Sequence, residues 1–164
     1  MEKDRQRLSS DLQMKRILIM TALLFLASCS IPQIYVIEDP LTASQHNELG
    51  YIYEQQGKFG LAEKEYRAAI RKQRDWPVPY FNLGNVYFKL QDLAKAEEHY
   101  REAIERDPVH SDAMNNLAYV LCERGMDEEA REWINKALSI QPKEEYLATQ
   151  NRIFAKKCSD SGCP

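Results

Sequence analysis

Apolar and small residues recur at helical spacing from residue 43 to residue 156, and two different patterns precede this region. A mainly apolar stretch runs from Ile17 to Ala27, and residues 30–40 contain two prolines and few residues that favour a helix. Apolar positions every three or four residues are typical of amphipathic helices. The pattern therefore predicts an all-α domain that follows a short apolar segment and an extended tether.

The helical region repeats with a period of 34 residues. Shifting the chain on itself superimposes small residues, which we expect to let two helices approach closely while large residues pack around them. The turn between the two helices of a repeat falls at Gly57 and Gly125, with Gln91-Asp92 in the middle repeat. Glycine adopts positive φ without strain, so Gln91-Asp92 should fill this position less comfortably. The aligned small residues are Gly50, Gly84 and Ala118, then Ala62, Ala96 and Ala130.

This arrangement resembles the tetratricopeptide repeat over residues 43–76, 77–110 and 111–144. The resemblance implies a short right-handed α-solenoid of three helix-turn-helix repeats. Residues 143–156 have the spacing of a terminal capping helix, which gives a domain over 43–156. The turn-rich residues 157–164 predict a flexible tail.

The amino end predicts export and lipid attachment. Lys15 and Arg16 precede an apolar stretch that is about half the length of a membrane span, as in a signal peptide. Leu26-Ala27-Ser28-Cys29 resembles the lipobox of bacterial lipoproteins, which implies cleavage before Cys29 and acylation of Cys29. Residues 1–28 are then an upstream extension and signal peptide, and 29–42 are the tether. Either Met1 or Met14 could be the start of translation. The alternative to a cleaved lipoprotein signal peptide is an apolar anchor that stays uncleaved.

Charge narrows the choice of partner. The whole chain has a formal charge of -3, and residues 29–164 carry 17 basic and 22 acidic residues, which gives -5. Such a surface lacks the positive field that holds nucleic acid or anionic lipid, so we expect no nucleic-acid binding and membrane attachment through acyl chains alone. In the lipoproteins that the chain resembles, a serine after the lipidated cysteine, here Ser30, accompanies sorting to the periplasmic face of the outer membrane.

The sequence offers little catalytic chemistry. The histidines His46, His99 and His110 fall at different repeat positions, and no phosphate-binding glycine loop or Gly-x-Ser-x-Gly elbow occurs in the sequence. We therefore predict no enzyme activity, no metal and no cofactor. Cys122 is interpreted as a small apolar residue of the groove. Cys158 and Cys163 could form a disulfide in an oxidising compartment, or stay unpaired or pair with another chain.

The resemblance also implies a concave groove lined by the first helix of each repeat. Aromatic and amide side chains alternate there, a composition that suits an extended protein or peptide segment. Lys89 is the one basic residue at these repeat positions, which does not favour the family's clamp for a carboxylate. Packing between repeats is the alternative role of the aromatic residues, above all Phe81 and Phe88. The groove residues singled out are Asn47, Tyr51, Phe81, Asn82, Asn85, Phe88, Lys89, Asn115, Asn116 and Tyr119.

Together these patterns predict a non-enzymatic, lipid-anchored adaptor that holds a protein partner during envelope assembly, secretion or pilus biogenesis. An alternative comes from the resemblance of Glu38–Thr42 and the repeats to the repeat part of papain-like peptidases, whose peptidase core is missing here. The chain would then be an accessory or substrate-presenting subunit of a separately encoded peptidase. A hydrolase activity of the domain itself lacks a nucleophile and base pair. Partner, pathway and oligomeric state stay open.

Overall fold

The computed structural model describes residues 13–21 and 39–160, with the backbone alone for residues 156–160. The chain divides into two compact units, Met1–Asp39 and Pro40–Pro164. In the first unit the described residues form one helix, α1 (residues 13–21), in which Thr21 Oγ1 donates to the carbonyl of Ile17 at 3.0 Å. The lipobox, Ser30 and most of the tether lie outside the described residues.

The second unit contains seven further helices and, within residues 39–160, no strand. Consecutive helices pair as hairpins, α2 with α3, α4 with α5 and α6 with α7, and α8 packs against α7 and α6. This all-α stack agrees with the predicted fold class. The helices are α2 (Ala43–Gln55), α3 (Phe59–Lys72), α4 (Pro77–Lys89), α5 (Leu93–Arg106), α6 (Ser111–Glu123), α7 (Asp127–Ile140) and α8 (Glu144–Asp160).

Local sequence determines where these helices begin. Thr42 accepts a hydrogen bond from the backbone N–H of Gln45, and the Gln45 side chain accepts from the backbone N–H of Thr42, so the two form a capping box before α2. Pro77 occupies the first turn of α4, where its missing N–H costs nothing. Asp92 caps α5 by accepting from the backbone N–H of Lys95.

The turn inside each repeat requires a left-handed residue. Gly57 has φ of 69° and Gly125 has φ of 79°. Gln91 occupies the equivalent place in the middle repeat with φ of 62°, a conformation that brings a side chain close to the carbonyl that follows. The expectation that Gln91 fills a glycine position is confirmed.

Close contact between helices depends on the small residues of the repeat. A Cβ added at Gly50 would lie 2.6 Å from the ring of Tyr66, and one added at Gly84 would overlap the ring of Tyr100. Ala62, Ala96 and Ala130 are fully buried in the core cluster. Small side chains on one helix therefore leave the space that large side chains of its neighbour fill.

Helix α8 is longer than the sequence predicted. It begins at Glu144 and continues to Asp160, four residues past the predicted end at 156. Ala155, Lys156 and Lys157 favour helix, and the two lysines complement the negative end of its dipole, which explains the continuation. The backbone of Cys158 is thus helical. The Cys158 side chain and all of Cys163 lie outside the described residues, so the possible disulfide between them stays a prediction.

Candidate functional site

The first helices of the three repeats border a cavity of about 320 Å³. Six of the ten predicted groove residues line it, from α4 and α6, and they bring both amide and aromatic side chains to one place. Two lining residues, Glu54 of α2 and Tyr100 of α5, are additional to those ten. The six are Asn85, Phe88, Lys89, Asn115, Asn116 and Tyr119.

Asparagine side chains connect neighbouring repeats across the groove. Asn82 Nδ2 donates to Asn47 Oδ1 at 3.0 Å, and Asn116 Nδ2 donates to Asn85 Oδ1 at 3.1 Å. Asn115 Nδ2 donates in turn to Asn116 Oδ1 at 3.1 Å. The amide groups are therefore held in fixed orientations before any ligand arrives, which lowers the entropy that binding would cost.

Asn115 leaves one polar atom without a partner. Its Oδ1 is buried and has no hydrogen-bond partner among the described residues, and Asn115 lines the cavity. A buried acceptor that lacks a donor costs free energy. A ligand N–H that bonded Asn115 Oδ1 would remove this cost, but because the atom is buried the side chain must first turn towards the cavity.

Two aromatic rings form the apolar wall of the cavity. Phe88 of α4 and Tyr119 of α6 pack edge to face, with ring centroids 5.6 Å apart. The guanidinium of Arg152, on α8, lies 4.7 Å from the Tyr119 ring centroid and makes a cation-π contact with the ring. These rings fix a surface on which an apolar side chain of a ligand could pack.

The Lys89 charge is already matched. Lys89 Nζ donates to Glu54 Oε1 at 2.8 Å, and the Tyr66 hydroxyl donates to Glu54 Oε2 at 2.6 Å. Burial, and then the hydrogen bond to Glu54, raise the pKa of Tyr66, which stays a donor at neutral pH. The buried Glu54 carboxylate is therefore the resident partner of Lys89.

Two more cations reach the groove from its carboxyl-terminal end. Lys143 Nζ donates to Asp112 Oδ1 at 2.6 Å, and Arg152 donates to Glu123 at 2.8 Å. Burial alone would raise the pKa of Asp112, but hydrogen bonds from Lys143 and Tyr146 lower it overall. Among the groove positions of the first helices only Lys89 is basic, and these two cations come from α8 and from the residue before it.

Tyr100 reaches the groove although it belongs to the second helix of its repeat. Its hydroxyl donates to Asn85 Oδ1 at 2.8 Å, and its ring passes over Gly84, where no side chain blocks it. Tyr100 is not among the residues that the repeat pattern assigned to the groove. The pairing of a tyrosine with a glycine on the facing helix, which also occurs for Tyr66 and Gly50, was the signal for it.

Five residues assigned to the groove have other or less enclosed surroundings. Phe81 packs against the rings of Tyr100 and His110, at 5.9 and 5.0 Å between centroids, and so contributes to packing within the middle repeat. Tyr51 is 54% exposed and lies outside the cavity lining. Asn47 and Asn82 lie outside that lining as well and pair with each other. Cys122, interpreted as a small apolar residue of the groove, is buried in the core cluster.

The histidines take separate structural roles. His46 Nδ1 lies 2.7 Å from Glu65, His99 Nδ1 lies 2.6 Å from Glu102, and His110 caps α6 by accepting from the backbone N–H of Ala113. Within residues 13–21 and 39–160, no three His, Cys, Asp or Glu side chains converge as metal ligands would. In the same part of the chain, every helix is too short or too polar to cross a membrane.

Known families and proteins share this repeat. A family model described as "Tetratricopeptide repeat" matches residues 81–145, and one described as "TPR repeat" matches residues 50–91. The CTR9 homolog of Arabidopsis thaliana is 28% identical over 64% of this chain and 10% of its own length. The Photosystem I assembly protein Ycf3 of Rippkaea orientalis is 26% identical over 71% of this chain and 77% of its own length.

The chain spans only 10 to 15% of the length of the first three curated relatives, so their similarity concerns the repeats and not the whole proteins. Among solved structures, the first TPR domain of human RPAP3 has a TM-score of 0.69 at 23% identity, covering 74% of this chain and 97% of that one. The first TPR of Spaghetti (RPAP3), bound to the HSP90 peptide SRMEEVD, has a TM-score of 0.67 at 23% identity, covering 70% and 91%. Sequence and fold thus agree that this chain carries tetratricopeptide repeats.

Proposed function

We propose that the chain is a non-enzymatic adaptor, anchored by lipid on Cys29, that binds an extended segment of a protein partner in the cavity between α4 and α6. The single observation that carries the proposal is the buried Oδ1 of Asn115, which lines the cavity and has no hydrogen-bond partner among the described residues. An acceptor of this kind fits the N–H of an extended backbone.

The geometry of the cavity supports this class of ligand. Asn85 and Asn116 are held by hydrogen bonds on one side, and Phe88 and Tyr119 provide an apolar wall on the other. Backbone groups of an extended segment would bond the amides, while its side chains pack on the rings. Tetratricopeptide structures of RPAP3 hold peptides of HSP90 and HSP70, which supports peptide binding as the use of the groove.

The acidic sequences of those two peptides are a poorer match to this groove. Its cations already have carboxylate partners: Lys89 bonds Glu54, Lys143 bonds Asp112 and Arg152 bonds Glu123. An acidic ligand would have to break one of these pairs, whereas a ligand without charge in the bound segment leaves them intact. We therefore propose an uncharged extended segment as the ligand.

Location is proposed from the sequence alone. Cys29 and Ser30 favour attachment at the periplasmic face of the outer membrane, where the adaptor would serve envelope assembly, secretion or pilus biogenesis. The net charge of -5 on residues 29–164 leaves acylation as the means of attachment that the sequence supports.

The test compares partner recovery with wild-type and altered full-length chains purified from detergent-solubilised membranes. Asn82→Ala with Asn116→Ala removes two amides that join neighbouring repeats. Recovery of the co-purifying protein should fall about 5- to 100-fold, because the loss of Asn116 from the cavity lining leaves a polar group of the bound segment without a partner, at roughly 1–3 kcal/mol. Helix content by circular dichroism should stay at the wild-type level.

The matched control is Glu98→Ala with Glu132→Ala. These two exposed residues lie on second helices and are one repeat apart, as are the two asparagines. The control should leave partner recovery unchanged. Equal losses in both double variants would refute binding in the groove, and a recovered peptidase would favour the accessory-subunit alternative.

A further inference from the structure

The exposed residues of α3 that carry charge are all basic. Lys64, Arg67 and Arg71 follow one another at spacings of three and four residues, so they lie on one side of the helix. Lys72 adjoins Arg71 at the edge of this side, and Leu61, which is 45% exposed, lies among them. We call the exposed basic residues of α3 the α3 basic face; its members are Lys64, Arg67, Arg71 and Lys72.

The carboxylates of α3 leave part of this charge unmatched. Glu63 and Glu65 are half-buried on the flanks of the α3 basic face. Arg67 donates to Glu63 at 2.9 Å, and Glu65 pairs with a histidine of α2. Within residues 13–21 and 39–160, neither Lys64 nor Arg71 forms an ion pair. These two cations can therefore bind an external anion without breaking an ion pair inside the fold.

Exposed charge on the later second helices is mainly acidic. Helices α5 and α7 each expose two acidic residues and one basic residue, whereas α3 exposes four basic residues. The turn after α3 adds Arg74 and Asp75, whose charges cancel. The charge of -5 on residues 29–164 is therefore unevenly distributed, and its basic part lies on the first repeat. The exposed charged residues of the later helices are Lys95, Glu98 and Glu105 on α5, and Glu128, Glu132 and Lys136 on α7.

We propose that the α3 basic face lies against the anionic lipid headgroups of the membrane to which the chain is attached. The inference rests on the proposed lipid anchor, because the anchor brings the first repeat close to that surface. An anionic surface attracts the α3 basic face and repels the exposed carboxylates of α5 and α7. The contact therefore orients the domain, while the acyl chains attach it.

The spacing of the cations favours a membrane over a single anionic group. Lys64 and Arg71 are two helical turns, or roughly 10 Å, apart along α3. Two side chains at this spacing cannot both converge on one phosphate or carboxylate without leaving the helix surface. A membrane presents many headgroups, so each cation can meet a phosphate of its own.

The position of the face in the chain favours a membrane over an acidic protein. Residues 29–42 join Cys29 to α2, and α2 pairs with α3. Fully extended, these residues span at most about 50 Å. The first repeat therefore meets the membrane at a higher effective concentration than it meets a protein that is free in solution.

Contact through α3 leaves the groove available to a partner. The residues that line the cavity come from α2, α4, α5 and α6. The α3 basic face lies on the opposite side of α3 from Ala62, Tyr66 and Ala69, which are buried in the fold. The membrane contact and the partner therefore occupy different surfaces of the domain.

The experiment is lysine labelling of the chain purified from detergent-solubilised membranes. The chain is added to preformed vesicles of phosphatidylcholine, alone or with about 30% phosphatidylglycerol, and labelled with a neutral amine-reactive reagent. Lys64 and Lys72 should react about threefold or more slowly in the anionic vesicles, because headgroups cover them. Lys136, on the exposed side of α7, should react equally in both. Salt at about 0.5 M should remove the difference, since it screens the surface charge.

Two double variants test whether the effect belongs to α3. Lys64→Gln with Arg71→Gln removes two charges from the α3 basic face, so Lys72 should then react in anionic vesicles at nearly its rate in neutral ones. Lys95→Gln with Lys136→Gln, the control, removes two charges from α5 and α7 and should keep the slow labelling of Lys64 and Lys72. Circular dichroism should show wild-type helix content for both. Loss of the slow labelling in both double variants would overturn the assignment to α3.

Flotation of the vesicles separates this inference from the lipid anchor. A chain that floats with both kinds of vesicle, while Lys64 and Lys72 react alike in both, overturns the inference and leaves the anchor standing. A chain that floats with anionic vesicles alone supports the α3 basic face and refutes the anchor, and a chain that floats with neither refutes both. Slow labelling of Lys64 and Lys72 in neutral vesicles as well would mean that a protein covers the face, which also overturns the inference.

Discussion

The Tyr100 hydroxyl donates to Asn85 Oδ1 at 2.8 Å, and through this bond the second helix of the middle repeat supports a groove lined mainly by first helices. The contact requires Gly84, since a side chain there would occupy the space of the Tyr100 ring. Burial raises the pKa of Tyr100, so its hydroxyl remains protonated and keeps its role as donor at neutral pH. Packing between helices and the polar geometry of the groove are therefore coupled in this repeat.

Gly84→Ala should destabilise the domain. The new Cβ would overlap the Tyr100 ring, and overpacking of this kind costs about 1–3 kcal/mol in the free energy of unfolding. Gly60→Ala is the control, because a Cβ at Gly60 meets nothing within 4 Å and alanine favours helix. Urea unfolding followed by circular dichroism measures both. A Gly84→Ala chain as stable as Gly60→Ala would contradict the close packing of α4 on α5.

Gln91→Gly should stabilise the domain by about 1 kcal/mol, since glycine relieves the cost of the left-handed conformation at φ of 62°. The same substitution at Gln56, where φ is -83°, should instead lower stability because it only adds freedom to the unfolded chain. Melting temperatures of the two variants should thus move in opposite directions. Movement in one direction for both would show that Gln91 carries no strain.

The contact between Asp112 and Lys143 should make stability depend on pH. The pKa of Asp112 is lowered in the fold, so its carboxylate stabilises the folded state above the unfolded pKa, about 3.9. This contribution is lost as the pH falls from there through the lowered folded value. Asp112→Asn should therefore melt below the wild type at pH 7, and the gap should narrow as the pH falls below about 4. A gap that is constant from pH 7 to pH 3 would exclude this role of the charge.

Cys29→Ser should abolish lipid attachment and the cleavage that depends on it. Labelled palmitate should enter the wild-type chain and not the variant, while Cys158→Ser, the control, should keep the label. Fractionation should then find the unacylated domain detached from the outer membrane. Label in the Cys29→Ser chain would show that the resemblance to a lipobox is misleading.

The helices could be predicted from the sequence because their positions follow from local rules. The 34-residue period, the glycines at 57 and 125 and the substitute at Gln91 all appear where the repeat places them. The end of α8 was less predictable, because helix propensity in Ala155-Lys156-Lys157 competes with the turn residues that follow them.

The groove could be predicted only in part. Repeat positions identified Asn85, Asn116 and Tyr119, since each is half-buried on the groove side of a first helix. They did not identify Tyr100, whose hydroxyl reaches the cavity only because Gly84 lacks a side chain. The hydrogen bonds between the amides depend on contacts between elements about 30 residues apart in sequence, as does the contact of Lys143 with Asp112. Repeat positions alone do not predict such contacts.

The hydrogen-bonded Glu54 carboxylate has a consequence for ligand selection. It holds Lys89 at 2.8 Å as an intramolecular competitor, present at an effective concentration that a free carboxylate in solution does not match. An acidic segment that enters the groove must displace the Glu54 carboxylate from Lys89. Glu54 belongs to the same chain, so it loses no translational entropy on bonding Lys89, and the Tyr66 hydroxyl fixes its orientation. Glu54 thereby disfavours the binding of anionic ligands in the groove. It does so by competing for Lys89 and not by electrostatic repulsion from a negative surface.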